Sequence, residues 1–407
     1  MPTRITQAPN ISSTLFGVFC LGSYLLSLSY GSTFLLSLLM VSRGGNEHDA
    51  GSVISAAMLS TFVAVIYSGH LSDRFGAARS IALCAGLLVV STLGFALVPG
   101  YGNGLLCFGL TLGLGWGVFY TLGPIIVAML VEPLQRARYF ALLSGSMMTG
   151  IGSGPLLGRL ATALGYPVTT AFYIAALASA LGAIIFWRLA VRLQAQPNQM
   201  GAAAVSRISI ASAIAVLSSR AVFPIIMVGL GGCVFGGLSS FQTSYAAMRT
   251  LDYSLFFLGF MGAAISGRLL IASIVVKRDP YIASCVLSGL MVVSILMFQY
   301  LVGDGASYLL AAIVLGVGYG LTYSVINGLA ANEAPTGLTS QALLLFSLSY
   351  FVGVFGFPLL AGKIIVEQGM TVLLYTLLAV AVINWLITVA RQAWRVRGAT
   401  GSGALGR

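Results

Sequence analysis

The chain has 407 residues, of which 58% are hydrophobic and only 7% are charged, whereas a soluble domain carries about 25% charged residues. Because so few charges cannot cover a water-soluble surface, lipid must surround most of the chain. The net charge of +11 does not indicate nucleic acid, since about 15 of the 20 Lys and Arg residues fall on one side of the predicted topology and would meet anionic lipid head groups there.

Apolar runs in the sequence predict about twelve membrane-spanning helices, because one crossing needs about 20 apolar residues. The runs show no strand-like alternation, so α-helices are the expected spanning structure. In chain order, the predicted helices cover about 14–40, 51–68, 80–98, 104–131, 140–164, 169–189, 222–248, 253–276, 281–302, 308–331, 339–366 and 371–390. The expected fold is an all-α polytopic membrane protein.

A long polar stretch divides these helices into two groups of six. We expect a first six-helix bundle at 1–190, a central cytoplasmic linker at 191–219, a second six-helix bundle at 220–392 and a cytoplasmic tail at 393–407. Residues 208–217 of the linker are amphipathic and are expected to lie on the membrane surface. The Gly-rich tail is expected to be disordered.

Two separate motifs recur at one offset, which predicts that the halves are structural repeats. The first motif, at residues 113–121, recurs at 316–324, and the second pairs Pro155 with Pro358. Both offsets (316 − 113 and 358 − 155) are 203 residues. The repeat therefore predicts two similar six-helix bundles related by an axis normal to the membrane.

A dense polar stretch at residues 69–79, with the sequence GHLSDRFGAAR, lies between two apolar runs. It predicts a tight polar turn between helices 2 and 3. The stretch resembles the loop signature of the major facilitator superfamily, G-x-L-(Ser/Ala)-D-(Arg/Lys)-x-G followed by basic residues. The matching positions are Gly69, Leu71, Ser72, Asp73, Arg74 and Gly76. Ala77 and Ala78 depart from the pattern, and only Arg79 restores a basic residue.

The resemblance implies twelve helices in two six-helix repeats that expose a central site alternately to each side of the membrane. It also implies that the polar turn is part of the inner gate, formed by Gly69, Asp73, Arg74, Gly76 and Arg79. Asp73 is then expected to interact with the start of helix 11, since a carboxylate near a helix N-terminus is stabilised by about 0.3–1 kcal/mol. A solvated loop carboxylate is the simpler interpretation.

A second motif in helix 5 consists of Ser146, Gly150, Gly154, Pro155 and Gly158, and it resembles a motif described mainly in drug:proton antiporters of the superfamily. Arg159 replaces the last glycine of that pattern. Glycines four residues apart allow close helix approach, and the proline bends the helix. Gly353 and Pro358 are the counterparts in helix 11. The motif predicts a surface on which the halves close, with ordinary helix packing as the alternative.

All nine acidic residues lie at predicted helix ends or in loops, whereas exporters of cationic drugs usually hold a carboxylate within the membrane. This placement favours a neutral or anionic solute. Coupling to protons through Glu132, Glu333 or Asp73 stays open, as does uncoupled transport. Arg268 is the one charge well inside a predicted span. It is expected either to bind anionic or carbonyl oxygens of the solute, or to extend to the inner surface and hold the gate.

The resemblance places helices 1, 4, 7 and 10 around the solute cavity. With Arg268, these helices supply the cavity candidates Tyr30, Trp116, Tyr120, Gln242, Tyr245, Arg268, Tyr319, Tyr323 and Asn327. Aromatic rings with a few amides and hydroxyls suit a flat ring compound that carries carbonyl or amide groups. Packing between helices is the alternative role for many of these side chains.

The sequence therefore predicts a secondary active or facilitative transporter for a small neutral or weakly anionic, ring-bearing organic solute. Uptake of a vitamin such as riboflavin is the named candidate, and proton-coupled efflux of drugs or metabolites is the alternative. No partnered nucleophile and no metal-ligand cluster is visible, so we expect neither an enzyme nor a cofactor or metal site. The expected partners are the solute and membrane lipid, without nucleic acid, and protons are the candidate coupling ion if transport is coupled. We expect a monomer in the cytoplasmic (inner) membrane with both termini in the cytoplasm.

Overall fold

The computed structural model describes residues 13–131, 136–194, 209–268 and 279–403, and the regular elements within these ranges are helices. In the first half the α-helices are α1 (Ser13–Ser32), α2 (Leu36–Ser42), α3 (Glu47–Phe75), α4 (Ala77–Leu97), α5 (Gly104–Leu130), α6 (Arg136–Ala163) and α7 (Thr169–Gln194). In the second half they are α8 (Ile210–Leu217), α9 (Val222–Ser240), α10 (Gln242–Met248), α11 (Ser254–Ser266), α12 (Pro280–Tyr300), α13 (Gly305–Asn332), α14 (Thr339–Phe351), α15 (Phe357–Gln368) and α16 (Met370–Gly403).

Among the described residues, eleven helical stretches are long and apolar enough to cross a membrane. The predicted all-α membrane fold is confirmed. The remaining predicted crossing, 253–276, begins as the short apolar helix α11. The second part of that crossing, from residue 269, lies outside the described residues.

The predicted polar turn at 69–79 is mostly helical, which corrects the prediction of a loop. Helix α3 continues through Asp73 and Arg74 to Phe75, and α4 begins at Ala77. The turn is reduced to Gly76, whose φ of +82° lies in the left-handed region that favours glycine. The Ser80 hydroxyl donates to the Leu71 carbonyl across the turn at 2.9 Å. One glycine is therefore enough to reverse the chain here.

Helix 1 is interrupted in the structure, although the sequence predicts one continuous helix. The hydroxyls of Ser29, Ser32 and Thr33 each donate to the carbonyl three residues earlier, at 2.6–2.7 Å. Such local bonds compete with the regular α-helical pattern, and a 3₁₀ turn at Thr33–Leu35 follows, before α2. Helix 7 is similarly divided, at Phe241, into α9 and α10.

Helix α16 corrects the predicted end of the last crossing. It continues past residue 390 to Gly403, so the predicted disorder of the tail is wrong up to that residue. The predicted amphipathic segment of the linker forms α8, which Ser209 caps by accepting a hydrogen bond from the Ser212 amide. Ile210 and Ile214 of α8 are exposed, whereas Val216 is buried. Its position on the membrane surface stays a prediction.

The described residues form two compact units. The first contains those of Met1–Thr33, Leu59–Pro99 and Asn103–Arg207. In this unit α4 packs against α5 and α7, and α1 packs against α6 and α7.

The second unit contains Gly100–Gly102, the described residues of Ile208–Arg407 and the segment Phe34–Met58. In it α13 packs against α11 and α12, α12 against α16, and α9 against α14. The ring of Phe34 lies 5.8 Å from that of Phe235 and 5.4 Å from that of Phe257. The ends of the first two predicted crossings thus pack with the second half of the sequence, while the predicted domain boundaries stay a prediction.

Candidate solute-binding site

Arg268 directly follows α11 and is buried in the second unit, with 7% of its surface exposed. Its Nε donates to the Gly320 carbonyl of α13 at 3.0 Å, and its guanidinium carbon lies 5.7 Å from the centre of the Tyr323 ring. A guanidinium over an aromatic face is attracted by the electrons of the ring. The predicted intramembrane cation therefore contacts a main-chain oxygen and an aromatic ring.

Three tyrosines lie near this arginine on two neighbouring helices. The Tyr323 ring contacts the Tyr350 ring of α14, with the ring centres 5.5 Å apart. Tyr319 stacks on Phe235 of α9, with the ring centres 4.9 Å apart. Arg268, Tyr319, Tyr323 and Tyr350, which we name the tyrosine–arginine cluster, can offer hydroxyl and guanidinium donors beside flat rings. Sequence reasoning missed Tyr350, because helix 11 is not among the helices expected to line the cavity.

A small pocket adjoins Tyr319 and Tyr323 of this cluster. Its wall is formed by Met227, Val228, Gly231, Met291, Tyr319, Thr322, Tyr323 and Ile326, from α9, α12 and α13. Asn327 lies one turn beyond Tyr323 on α13 and is half-buried. Two predicted cavity residues, Tyr319 and Tyr323, therefore line the pocket, and Tyr323 connects it with Arg268.

Two other predicted cavity residues lie on α10 and make hydrogen bonds inside the second unit. The Tyr308 hydroxyl donates to Oε1 of Gln242 at 2.6 Å, and the Tyr245 hydroxyl donates to the Phe298 carbonyl at 2.6 Å. The Tyr245 and Tyr308 rings are stacked at 5.8 Å. Nε2 of Gln242 is buried and has no hydrogen-bond partner among the residues that the structure describes. The amide of Gln242 is therefore a buried donor that a bound solute could use.

The predicted cavity residues of the first half come together in the first unit. The ring of Tyr30 on α1 stacks on Trp116 of α5, with centres 4.9 Å apart, and both side chains are buried. Tyr120 lies one turn further along α5, 6.1 Å from the Trp116 ring, and is half-buried. These three rings form an aromatic wall that can pack against a flat solute.

The glycine motif of α6 lies against α1 in the first unit. A Cβ at Gly150 would meet the Tyr24 carbonyl and the Ser27 side chain, and one at Gly154 would meet the backbone of Gly31. Pro155 and Gly158 follow on the same helix and are buried. In the second unit, the equivalent Gly353 lies against the backbone of α9. The same close helix approach therefore occurs in both repeats, while a role in closing the halves stays a prediction.

The predicted gate residues lie at the α3–α4 turn of the first unit. Asp73 and Arg74 are exposed in the last turn of α3, and the Arg74 guanidinium lies 5.3 Å from the Phe75 ring. Gly69 is buried one turn earlier. Arg79 begins α4 and lies 6.0 Å from the Trp187 ring. The interaction predicted between Asp73 and helix 11 stays a prediction.

A buried ion pair in the second unit is a feature that sequence reasoning missed. Glu333, at the end of α13, and Arg391, on α16, are 9% and 7% exposed. One terminal nitrogen of Arg391 donates to both carboxylate oxygens at 2.5 Å, and the Tyr281 hydroxyl donates to the same carboxylate. The spacing of 58 residues between the two partners carries no sequence signal.

A second, more exposed pair lies beside it. The Asp279 carboxylate, before α12, accepts from Arg395 and from the Tyr281 amide. Burial raises the pKa of Asp279, but these hydrogen bonds and the charge of Arg395 together outweigh burial and hold the pKa below its usual value. The carboxylate is therefore ionised at neutral pH. Where the structure describes the chain, no three His, Cys, Asp or Glu side chains come together as metal ligands.

Comparison with known proteins agrees with this geometry. Residues 15–358 match the sequence model of the Major Facilitator Superfamily. The chain is 25% identical over 336 residues, 77% of each chain, to the uncharacterised MFS-type transporter YqjV of Bacillus subtilis (strain 168). It is 31% identical over 108 residues to the putative metabolite transport protein YwtG of the same organism, covering 26% of this chain and 23% of that protein.

Solved structures share the fold at lower identity. A mutant of the peptide transporter POT superimposes with a TM-score of 0.73 and 18% identity, covering 93% of each chain. The human organic anion transporter MFSD10 (TETRAN) gives a TM-score of 0.68 and 16% identity, covering 92% of this chain and 98% of that one. At these identities the likeness is one of fold alone.

Proposed function

Since the chain belongs to the Major Facilitator Superfamily and is a membrane transporter, we propose that it carries a small neutral or weakly anionic, ring-bearing organic solute by alternating access. The observation that carries this proposal is Arg268, a cation buried among tyrosines within a predicted crossing. A charge in such a place is costly, and it usually marks a solute or ion pathway.

The tyrosine–arginine cluster suits oxygen atoms attached to a ring. The guanidinium can donate to a carboxylate or carbonyl oxygen, while the Tyr319 and Tyr323 rings offer flat faces for stacking. The Nε2 donor of Gln242 supports a polar solute as well. Riboflavin, with a fused ring system that carries carbonyl groups, is the solute we would test first.

The basic residues that gather on one side of the predicted topology support a cytoplasmic membrane location with both termini in the cytoplasm. We propose that the transporter acts as a monomer without enzymatic activity. Its proposed partners are the solute and the surrounding lipid, and protons are the candidate coupling ion.

The proposal is tested by the flux of labelled riboflavin into proteoliposomes, with and without an imposed proton gradient. We expect saturable entry above that of protein-free liposomes. Arg268→Gln removes a charged donor, which is worth about 1.5–3 kcal/mol, so the apparent affinity should fall about 10- to 150-fold. Arg249→Gln is the matched control, because Arg249 also contacts a main-chain carbonyl and a tyrosine ring, those of Val302 and Tyr245, away from the cluster.

Equal loss of flux in the two variants would contradict a solute-binding role of Arg268. If riboflavin does not enter the proteoliposomes, with or without the proton gradient, it is not the solute. The second candidate function, proton-coupled efflux, is favoured by the glycine motif of α6 and its close approach to α1. It predicts gradient-driven accumulation of the substrate inside inverted vesicles, measured with a panel of drugs.

A further inference from the structure

The Ser55 hydroxyl of α3 lies between two main-chain groups of another helix. It donates to the Phe355 carbonyl at 2.6 Å and accepts from the Leu359 amide at 3.1 Å. These two groups are four residues apart, so an uninterrupted α-helix would bond them to each other. The Ser55 hydroxyl therefore takes the place of this helical hydrogen bond. Ser55 is 8% exposed, so the contact lies inside the protein.

The partner helix is irregular at this point for a reason visible in its sequence. Residues Val352–Gly356, between α14 and α15, form a π-helical segment. Pro358 has no amide hydrogen, so the Val354 carbonyl cannot receive its usual α-helical bond. A π-helical segment inside an α-helix often lies at a functional site. The irregularity makes carbonyl and amide groups of this helix accessible to a side chain from outside it.

Glycines bring the two helices close enough for this contact. A Cβ at Gly51, one turn before Ser55, would meet the Pro358 carbonyl, and one at Gly356 would lie 2.7 Å from Sδ of Met58. A Cβ at Gly362 would meet the backbone of Glu47. The absence of side chains at three positions lets α3 lie directly on the irregular helix.

A second set of hydrogen bonds holds the same part of the chain. The Ser244 hydroxyl of α10 donates to the Glu47 carboxylate at 2.8 Å, and the Ser37 hydroxyl of α2 lies 2.8 Å from that of Ser244. Glu47 and Ser37 both belong to the segment Phe34–Met58, which packs in the second unit. That segment is therefore attached at two separate places, and each attachment uses small polar side chains.

We propose that Ser55 is a positioning residue for transport. In one state of the transporter its hydroxyl bonds main-chain groups of the helix formed by α14 and α15, and in the other state it does not. When the segment Phe34–Met58 separates from the second unit, Ser55 withdraws and the Leu359 amide bonds the Phe355 carbonyl directly. Main-chain groups without partners are costly inside a membrane, and this exchange keeps both groups bonded in either state. The proposal rests on the alternating-access function proposed above.

The test measures how readily the segment docks, and it needs no solute. In a background without the native cysteines, Ser37→Cys and Ser244→Cys place two thiols where the hydroxyls are 2.8 Å apart, close enough for a disulfide. Ser55→Ala removes the hydrogen bonds to the Phe355 carbonyl and the Leu359 amide, and the longer one to the Gly356 carbonyl at 3.2 Å, so the docking equilibrium should shift by about tenfold. We therefore expect slower disulfide formation.

Two further variants separate the hydroxyl from the packing. Ser55→Thr keeps a hydroxyl and should restore the rate of disulfide formation. Ser52→Ala is the matched control, because the Ser52 hydroxyl lies one turn away and donates to the His48 carbonyl of its own helix. An unchanged rate in Ser55→Ala, or an equal loss in Ser55→Ala and Ser55→Thr, would overturn the proposal.

If Ser55→Ala does not fold, Ser55→Cys keeps the size of the side chain with a weaker donor, and its effect is measured by hydrogen exchange without the cysteine pair, because a third thiol competes for disulfide formation. The Leu359 amide should stay protected in this variant, because the Phe355 carbonyl accepts its hydrogen bond when the side chain withdraws. Faster exchange of the peptide that contains Leu359 would mean that this amide loses its partner, and would overturn the exchange of partners. Failure of riboflavin flux would leave both measurements intact, so the two proposals fail separately.

Discussion

The ion pair between Glu333 and Arg391 provides the sharpest prediction about stability. Both side chains are less than a tenth exposed, and one arginine nitrogen contacts both carboxylate oxygens at 2.5 Å. Removing one partner leaves an unpaired charge in the interior, which costs about 3–5 kcal/mol. We therefore expect Glu333→Gln to destabilise the protein strongly.

The expected shift in midpoint temperature follows from the size of the unit. For about 150–250 residues, 1 kcal/mol corresponds to about 2–4 °C, so the midpoint of Glu333→Gln should fall by about 6–20 °C. The assay is thermal unfolding in detergent followed by tryptophan fluorescence. All variants share one scan rate, because unfolding of large proteins is often irreversible.

Two controls decide whether the pair is the cause. Asp279→Asn breaks the neighbouring ion pair between Asp279 and Arg395, whose side chains are 28% and 49% exposed. Loss of this more exposed pair should cost only about 0–1 kcal/mol. Replacing both members of the buried pair, by Glu333→Leu with Arg391→Met, should recover much of the loss, since no charge is left unpaired. Additive losses in the double variant, or a midpoint for Glu333→Gln equal to that of Asp279→Asn, would refute this reasoning.

Three further outcomes are expected. Asp73→Asn should slow transport at an unchanged level of folded protein, measured by flux and by the amount recovered from the membrane; a flux equal to that of the unmodified protein would rule out the gate role. Gly154→Ala should lower the unfolding temperature, because its Cβ would lie 2.6 Å from a main-chain nitrogen of α1, whereas Gly145→Ala meets nothing within 4 Å and should be neutral or stabilising by up to about 1 kcal/mol. Asn384→Leu should raise the unfolding temperature, because both amide atoms of this residue, 1% exposed, lack hydrogen bonds, at a cost of about 1–3 kcal/mol; a lowered temperature would mean that the amide is satisfied in solution.

The spanning helices could be predicted because the length and polarity of an apolar run report directly on lipid contact. The repeat could be predicted because two motifs keep one offset, and Gly150 and Gly353 now make equivalent close approaches to α1 and α9. Boundaries were less predictable. The helix through Asp73 ends only at Gly76, because a short polar stretch can be helical until a residue with positive φ breaks it.

Contacts that join distant parts of the chain escaped prediction for a physical reason. Ser55 bonds main-chain groups about 300 residues away, and any residue type at Phe355 would offer the same carbonyl. Glu333 was identified at a helix end, where acids are commonly solvated, and its burial depends on the neighbouring ends of α12 and α16. Of the cavity candidates, Tyr319 and Tyr323 line the pocket, and Tyr323 also contacts Arg268. The identity of the solute depends on such side-chain geometry, which sequence periodicity does not resolve.

The length of α16 has a consequence for how this protein can be observed. Its 34 residues extend about 51 Å, about 20 Å more than the hydrocarbon core of a bilayer. The ring of Trp394, near the point of exit, packs edge-on against Phe223 at 6.2 Å. The helix is therefore longer than one crossing, and a tilt of about 10° about its first residue displaces its tip at Gly403 by about 9 Å. A fluorophore attached at this tip would turn small rotations of the last membrane helix into distance changes that energy transfer can resolve.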